Sequence, residues 1–390
     1  MLRQRKPCAG FRGTEDTGVK KSTKKNLINA GVVLAIFLLT IYYVFHGEDL
    51  GQLLQSIESC DWRWIVPSVL LVIFFIWGES AIIWYMLREF GIRRKKMDCF
   101  LVSTVGFFFS AITPSASGGQ PMQMYFMKKM DIPLSVSSII LMVVTITYKL
   151  VLVLVQIWIF VFHQNLVHEY LGSVIYLVYL GMFLNIVGIA GLMAFVFWPH
   201  LVRVLTGWTV RLLQKLHIVK AASLLPQKAE AALIKYHEFS AYLKKNLHLL
   251  LKIQLLTFLQ RFALFFVTCL VYRALQLKGT GWNTILMLQS TISLTVDMLP
   301  MPGGMGISEY LFRQIFEPVF GASLLTGLVL SRGISYYVQL LVSAVGTGIA
   351  AIHLGKEQEK ASEDKAKTGS SEKTVSKPGD RLGKESVKNS

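Results

Sequence analysis

Two short stretches of the sequence share a proline, a Gly-Gly pair and a tyrosine, and each one interrupts an apolar run. They are TPSASGGQPMQMYF at 113–126 and LPMPGGMGISEYLF at 299–312. Gly118-Gly119 and Gly303-Gly304 permit backbone conformations that other residues resist. A helix that begins after each pair presents free N–H groups and the positive end of its dipole. This arrangement is a candidate site for an anion such as a phosphodiester, and the alternative is tight helix packing at small residues.

Ionisable residues within apolar stretches are the second chemical signal. They are Glu79, Lys149, Arg261, Asp297, Glu309 and Arg332. A charge at the bilayer centre costs about 2.5–3.5 kcal/mol on insertion scales, so each residue needs a partner or a wet surface. Pairing between opposite charges and contact with a substrate are both open, and we expect Glu79 and Arg261 to lie nearer the membrane interface. Glu309 lies five residues past Gly304, about one and a half turns into the predicted helix.

Composition identifies the elements that must position these residues. The chain of 390 residues is 53% hydrophobic and 16% charged, with a mean hydropathy of +0.50, whereas soluble domains carry about 25% charged residues. The sequence therefore predicts an all-α polytopic membrane protein. The net charge of +17 lies in short basic segments beside apolar runs, which fits membrane topology better than nucleic-acid binding. No metal-ligand, cofactor or nucleophile–base spacing appears, so we expect no cofactor, no metal and no catalytic residue.

The apolar runs differ in length. Six are long enough for full transmembrane helices: 26–46, 64–86, 137–162, 172–198, 246–272 and 334–354. Two shorter runs, 99–113 and 283–299, end at the Gly/Pro stretches and fall below the roughly 20 residues that cross a bilayer. We therefore predict six full transmembrane helices and two re-entrant or broken helices, which are eight hydrophobic segments. Full crossing by both short runs is the alternative.

The loop charges predict the orientation. Segment 87–98 has five basic and two acidic residues, and segment 199–245 has eight and two, whereas segment 47–63 has one basic and four acidic residues. By the positive-inside rule both termini are cytoplasmic. The first broken helix then enters from the cytoplasm and the second from outside, which is the pattern of inverted repeats.

The predicted organisation has five parts. They are a basic cytoplasmic arm (1–25), a membrane half with the first broken motif (26–198), a cytoplasmic connection (199–245), a second membrane half with the second motif (246–355) and a disordered cytoplasmic tail (356–390). Within the connection, 201–216 reads either as an amphipathic helix attracted to anionic inner-leaflet lipids or as an ordinary linker.

The stretches TPSASGGQPMQMYFMKK, LPMPGGMGISEYLF and SRGISYY resemble the membrane region of the bacterial lysylphosphatidylglycerol synthase/flippase family, over roughly residues 25–355. The resemblance implies a location in the cell membrane of a bacterium. It also implies movement of aminoacylated phosphatidylglycerol between the leaflets, and hence resistance to cationic antimicrobial peptides. It implies the substrate-binding positions Gly118, Gly119, Gln120, Pro302, Gly303, Gly304, Glu309 and Arg332. We add Lys149 and Asp297 as ionisable residues within apolar stretches, although Asp297 has no place in the family pattern. Gln120 replaces an acidic residue associated with the first motif.

A further expectation concerns the aminoacyltransferase of the two-part family members, which is a soluble C-terminal domain. Residues 356–390 are too few for such a domain, so we expect a stand-alone lipid translocase whose partner is a membrane phospholipid. Two alternatives are a secondary transporter for a small anion, because half-helix N-termini also suit carboxylates, and a membrane partner of a separate aminoacyltransferase.

The first prediction follows from the absence of a nucleophile–base pattern. Purified protein supplied with lysyl-tRNA and phosphatidylglycerol is expected to form no lysyl lipid, as measured by chromatography of extracted lipids with labelled lysine. A two-part family member is the positive control. Lysyl lipid formed by this protein alone would make the chain an enzyme.

Overall fold

The computed structural model describes residues 57–113, 116–198, 238–299 and 301–352, together with residues 55 and 204. In these ranges the chain is helical and contains no β-strand. Several predictions fall outside the described residues: the arm 1–25, the first span 26–46, most of the connection 199–245 including its amphipathic segment, and the tail 356–390.

Ten α-helices are numbered here in chain order. They are α1 (Trp62–Glu89), α2 (Lys96–Ile112), α3 (Gly119–Lys129), α4 (Leu134–Phe162), α5 (Gln164–Tyr170), α6 (Ile175–Phe197), α7 (Leu247–Ala274), α8 (Trp282–Asp297), α9 (Ile307–Phe320) and α10 (Leu324–Arg332). A π-helical turn, Gly333–Val338, joins α10 to a final helix over residues 339–352. Five helical runs of the described chain are long and apolar enough to span a membrane, at five of the six predicted positions. The sixth predicted span is 26–46.

The last predicted span differs most from the structure. The helix predicted at 334–354 begins earlier, at Leu324, and bends through the π-helical turn. Gly321 has a φ of 50°, a value that L side chains rarely adopt. This glycine ends α9 and lets the chain turn into α10, so the start of the last helix is fixed by backbone conformation and not by hydropathy.

Helices α1 and α7 are antiparallel and hold the two halves of the described chain together. Asp61 N donates to the carbonyl of Ala274 at 2.9 Å, and near the other end the Tyr242 hydroxyl donates to the Glu89 carboxylate at 3.2 Å. Between these contacts, a Cβ at Gly78 would lie 2.8 Å from the Gln260 Cγ. The close crossing therefore requires glycine at this position. We name the two ends of the bundle the Asp61 end and the Glu89 end.

Hairpin 1 consists of α2 and α3, and it enters and leaves at the Glu89 end. Near the start of α2 the Trp84 indole donates to the Arg94 carbonyl at 3.2 Å. The Arg94 guanidinium in turn donates to the carbonyl of Met130, the residue after α3. The two arms pack closely, because a Cβ on Gly119 would lie 2.7 Å from the Gly106 carbonyl oxygen. The short run 99–113 is thus one arm of a returning hairpin.

Hairpin 2 consists of α8 and α9, and it enters and leaves at the Asp61 end. Trp282, the first residue of α8, packs edge to face against Trp64 with ring centroids 6.3 Å apart. Phe320, the last residue of α9, packs against Tyr272 near the end of α7 at 5.5 Å. The two hairpins therefore insert from opposite ends of the bundle. One apolar core surrounds α8 and α9, and a second surrounds α2 and α3.

The second prediction tests this arrangement by cysteine labelling. Single cysteines replacing Lys95 and Lys128, at the two ends of hairpin 1, are expected to react with a membrane-impermeant maleimide from one side of the membrane only. Cysteines replacing Lys278 and Ala322, which flank hairpin 2, are expected to react from the opposite side only. Labelling is compared between sealed vesicles of both orientations.

The background of this experiment is low when the parent protein carries Cys8→Ser. Cys60, Cys99 and Cys269 are buried, and burial also raises the pKa of the Cys60 thiol, which lowers the population of the reactive thiolate. Labelling of positions 95 and 128 from different sides would mean that hairpin 1 crosses the membrane completely.

Candidate functional site

The tips of the two hairpins meet inside the bundle at Tyr336, on the π-helical turn. The Tyr336 hydroxyl donates to the carbonyl of Ala111, near the end of α2, at 3.1 Å. On the other side its ring lies against Gly303, where any Cβ would overlap it. Gly303 and Gly304 have φ values of 57° and 68°, so the turn also needs glycine for its conformation. One side chain thus contacts the tips of both hairpins.

At the first break, α3 begins within the predicted glycine pair. Gly118 N donates to the Thr113 hydroxyl at 2.9 Å, and that hydroxyl donates to the carbonyl of Phe109 at 2.6 Å. Gly119 is the first residue of α3. The next residue, Gln120, donates through its side-chain amide to the Thr145 hydroxyl on α4. Gln120 therefore holds the tip of hairpin 1 against α4.

At the second break, the helix begins later than predicted, and the expectation of a free helix N-terminus directly after the glycine pair is wrong. α9 starts at Ile307, and the Glu309 carboxylate accepts hydrogen bonds from Gly306 N at 2.7 Å and from the Ser308 hydroxyl at 2.9 Å. Glu309 is therefore the third residue of α9, where an acid caps the helix. The chain's own carboxylate occupies the position proposed for an anion.

Arg332 joins α10 to the second break and balances the Glu309 charge. Its Nε donates to Glu309 Oε1 at 2.9 Å, and its Nη2 donates to the carbonyl of Gly303 at 3.0 Å. The guanidinium carbon lies 4.7 Å from the centre of the Tyr336 ring. Glu309 is 4% exposed, so its charge is stabilised by Arg332 and not by water. Of the two alternatives that the sequence left open for these charges, pairing and substrate contact, the structure shows the pairing. The side chain of Pro302 lies outside the described part.

A second ion pair lies at the other edge of the same break. Lys149 on α4 binds Asp297, the last residue of α8, and its ammonium also donates to the Asn185 Oδ1 at 3.2 Å. The Tyr148 hydroxyl donates to the other Asp297 oxygen at 3.0 Å. Asn185 completes the contact by donating to the Leu294 carbonyl at 3.0 Å. Thus α4 and α6 both hold the end of α8.

The remaining two ionisable residues lie in the interior, so the expectation that they lie nearer the interface is wrong. Glu79 is near the middle of α1 and 8% exposed, because the crossing at Gly78 and Gln260 brings the centres of α1 and α7 together. Arg261 is near the middle of α7, and its guanidinium carbon lies 5.0 Å from the Phe75 ring centre and 4.3 Å from that of Tyr148.

Four further polar residues complete this interior and were not predicted. They are Gln123, Tyr148, Asn185 and Tyr336. Gln123 donates to Glu79 at 2.7 Å. As described above, Tyr148 contacts Asp297, Asn185 contacts Lys149, and Tyr336 contacts Ala111. The sequence did contain a signal for Asn185, because a polar amide within an otherwise apolar helix indicates a partner in the interior. Among the described residues no group of three or more His, Cys, Asp and Glu side chains forms a metal site.

The third prediction concerns the Glu309–Arg332 pair. Glu309→Gln and Arg332→Gln are each expected to lower stability by about 3–5 kcal/mol, because each leaves a buried charge without its partner. The double variant is expected to recover part of the loss. Thermal unfolding in detergent measures the effect, with Glu317→Gln, an exposed position on α9, as the control. Two single variants as stable as the parent would mean that the pair does not hold the break.

Comparison with known proteins agrees with this architecture. The profile of a family described as the lysylphosphatidylglycerol synthase TM region matches residues 29–343. A Mycoplasma pneumoniae protein named "Uncharacterized protein MG306 homolog" is 26% identical over 127 residues, which cover 30% of this chain and 32% of that protein. The aligned part is thus about a third of that relative, and its name gives no activity. Because the profile covers most of the chain, this protein belongs to the family of the lysylphosphatidylglycerol synthase transmembrane region.

Proposed function

We propose that this protein moves phosphatidylglycerol-type lipids, including aminoacylated forms, between the leaflets of a bacterial cell membrane. The observation that carries the proposal is the meeting of two hairpins, inserted from opposite ends, at Tyr336 in the interior. Irregular backbone at membrane depth persists only where it is buried in protein or lines a wet cavity. A paired break of this kind lies at the substrate site of many transporters.

The orientation is part of the proposal. The described basic residues at the Glu89 end are Arg88, Arg93, Arg94, Lys95, Lys96, Lys128, Lys129, Lys244 and Lys245. The positive-inside rule makes this the cytoplasmic end, with both termini on the cytoplasmic side. The set α1, hairpin 1 and α4 then corresponds, in inverted orientation, to α7, hairpin 2 and the last helix. This relation supports an inverted repeat and alternating access to the two tips.

The headgroup would bind where the two broken motifs meet. The proposed contacts are Gly118, Gly119, Gln120, Pro302, Gly303, Gly304, Glu309, Arg332, Lys149 and Asp297. Arg332 can donate to phosphate through guanidinium nitrogens that its bonds to Glu309 and Gly303 leave over, since the group has five N–H donors. Glu309 and Asp297 supply the negative charge that an aminoacyl ammonium requires.

An apolar groove beside hairpin 2 suits the acyl chains. It has a volume of about 380 Å³ and lies between α4, α7 and α8, with Trp158, Phe258, Phe262 and Leu286 among its lining residues. Trp158 and Phe258 are also exposed on the outer surface of the bundle. The groove therefore opens towards the hydrocarbon, so a lipid can keep its chains in the bilayer while its headgroup moves along the interior.

The fourth prediction is a leaflet-specific assay in liposomes that contain labelled phosphatidylglycerol, lysylphosphatidylglycerol or phosphatidylcholine. The protein is expected to accelerate movement of the first two lipids over protein-free liposomes. Gly119→Ala is expected to reduce that movement about tenfold, because its methyl group overpacks the contact between the arms of hairpin 1 and overpacking costs about 1–3 kcal/mol.

Gly191→Ala is the matched control, because Gly191 lies in α6 with no atom near its would-be Cβ. Folded yield of each variant is measured by size-exclusion chromatography. Equal movement in liposomes with and without protein would refute lipid transport. Uptake of a small carboxylate in place of lipid would identify an anion transporter. Activity that appears only after addition of a soluble aminoacyltransferase would identify a subunit of that enzyme.

A further inference from the structure

Three acids lie in the interior, and one of them differs from the other two. Asp297 and Glu309 form ion pairs, whereas among the described residues no cation lies within salt-bridge distance of Glu79. We propose that the Glu79 carboxyl binds a proton when an anionic headgroup enters the interior, so that lipid movement is coupled to proton movement. The lipid half of this inference rests on the function proposed above, and the proton half does not.

The contacts of Glu79 are unusual for a buried carboxylate. Its Oε1 accepts one hydrogen bond, from the neutral amide of Gln123 at 2.7 Å. Arg261 interacts with it electrostatically but lies between two aromatic rings, and its buried Nε has no hydrogen-bond partner among the described residues. A buried acid and a buried base are thus close without satisfying each other. Such intramembrane acids are typical of proton pathways in transporters.

The Gln123 amide can accommodate Glu79 in both protonation states. An amide has two N–H donors and a carbonyl acceptor, so it donates to a carboxylate and accepts from a carboxylic acid after rotation. Gln123 lies on α3, and its amide packs where a side chain at Gly106 would stand. The hydrogen bond between Gln123 and Glu79 therefore connects hairpin 1 to α1. Protonation of Glu79 changes the strength of this hydrogen bond.

The groups that face Glu79 come from several elements. Arg261 comes from α7 and Tyr148 from α4, and both interact with it electrostatically. Gln123 from α3 is neutral. Helix α2 and the π-helical turn also pack against α1. On α2 the Ser103 hydroxyl is buried without a hydrogen-bond partner among the described residues, and the π-helical turn contains the phenols Tyr336 and Tyr337.

The charge balance links Glu79 to the second break. Arg261 lies over the Tyr148 ring, and the Tyr148 hydroxyl donates to Asp297, which binds Lys149. With Glu79 ionised, these two acids and two bases sum to zero charge. Protonation of Glu79 leaves one positive charge, which a phosphodiester of charge −1 would neutralise. The proton binds a Glu79 oxygen as the headgroup enters and is released as the headgroup leaves on the other side, and no covalent bond of the lipid changes.

The fifth prediction has two arms, and the first needs no lipid transport. Infrared difference spectra of the purified protein in nanodiscs, recorded between acidic and alkaline pH, are expected to show a buried carboxylic acid band. Glu79→Gln is expected to remove that band. Glu89→Gln, at an exposed position on the same helix, is expected to retain it. Gln123→Ala keeps the Glu79 carboxyl and is expected to shift the band. This variant tests the assignment of the band to Glu79 even if Glu79→Gln does not fold.

The second arm uses liposomes that contain labelled phosphatidylglycerol and sustain a pH difference. Movement of the lipid in the direction of proton flow is expected to be about tenfold faster than without the difference, a typical coupling between two sites. Glu79→Gln is expected to lose this dependence, and Glu89→Gln to keep it.

Each outcome decides between the two proposals. A wild-type spectrum without a titrating buried carboxyl band, or a band that persists in Glu79→Gln, overturns the proton site. Lipid movement that ignores the pH difference overturns the coupling and leaves lipid transport standing. A carboxyl band assigned to Glu79 in a protein that moves no lipid refutes the proposed function and leaves the proton site standing.

Discussion

A carbonyl group exposed inside a membrane bundle requires a donor, and the structure around the second break depends on how that need is met. Gly303 turns the chain with a positive φ and releases its carbonyl from helical bonding. Arg332 donates to this carbonyl and, with another nitrogen, to Glu309. Glu309 in turn satisfies the N–H of Gly306. Arg332 thus satisfies the free carbonyl of Gly303 and also neutralises the charge of Glu309. This lets hairpin 2 end in the middle of the bundle.

The helices and the hairpins were predictable from sequence for a physical reason. Apolar runs of sufficient length must be helical in a bilayer, because helices satisfy their own backbone. The runs 99–113 and 283–299 were too short to cross, and they form arms that return to the end where they began. The turn at Gly321 carried no hydropathy signal, so the last helix, predicted to begin at residue 334, begins nearly three helical turns earlier, at Leu324.

The partners within the site were harder to predict, because they are distant in the sequence. Pairing of opposite charges was one of two expectations, but nothing local assigns Lys149 to Asp297, which lies 148 residues away. The interior position of Glu79 and Arg261 depends on the close crossing at Gly78, which is a property of two helices together. The capping of α9 by Glu309 was accessible in principle, since the acid follows Gly306 by three residues. The prediction began the helix at Gly304 and therefore missed it.

The two ion pairs also determine which part of the interior can move. Both edges of the second break are fixed, one by Lys149 and Asp297 and the other by Arg332 and Glu309. Loss of one partner from a buried pair costs about 3–5 kcal/mol, so displacement of hairpin 2 requires replacement contacts for four charges. Hairpin 1 is held at Glu79 by a single hydrogen bond to an amide. For the alternating bundle proposed above, we therefore expect the larger displacement at hairpin 1. Its tip is held by hydrogen bonds at Gln120, Gln123 and Ala111, and Glu79 lies at one of these contacts.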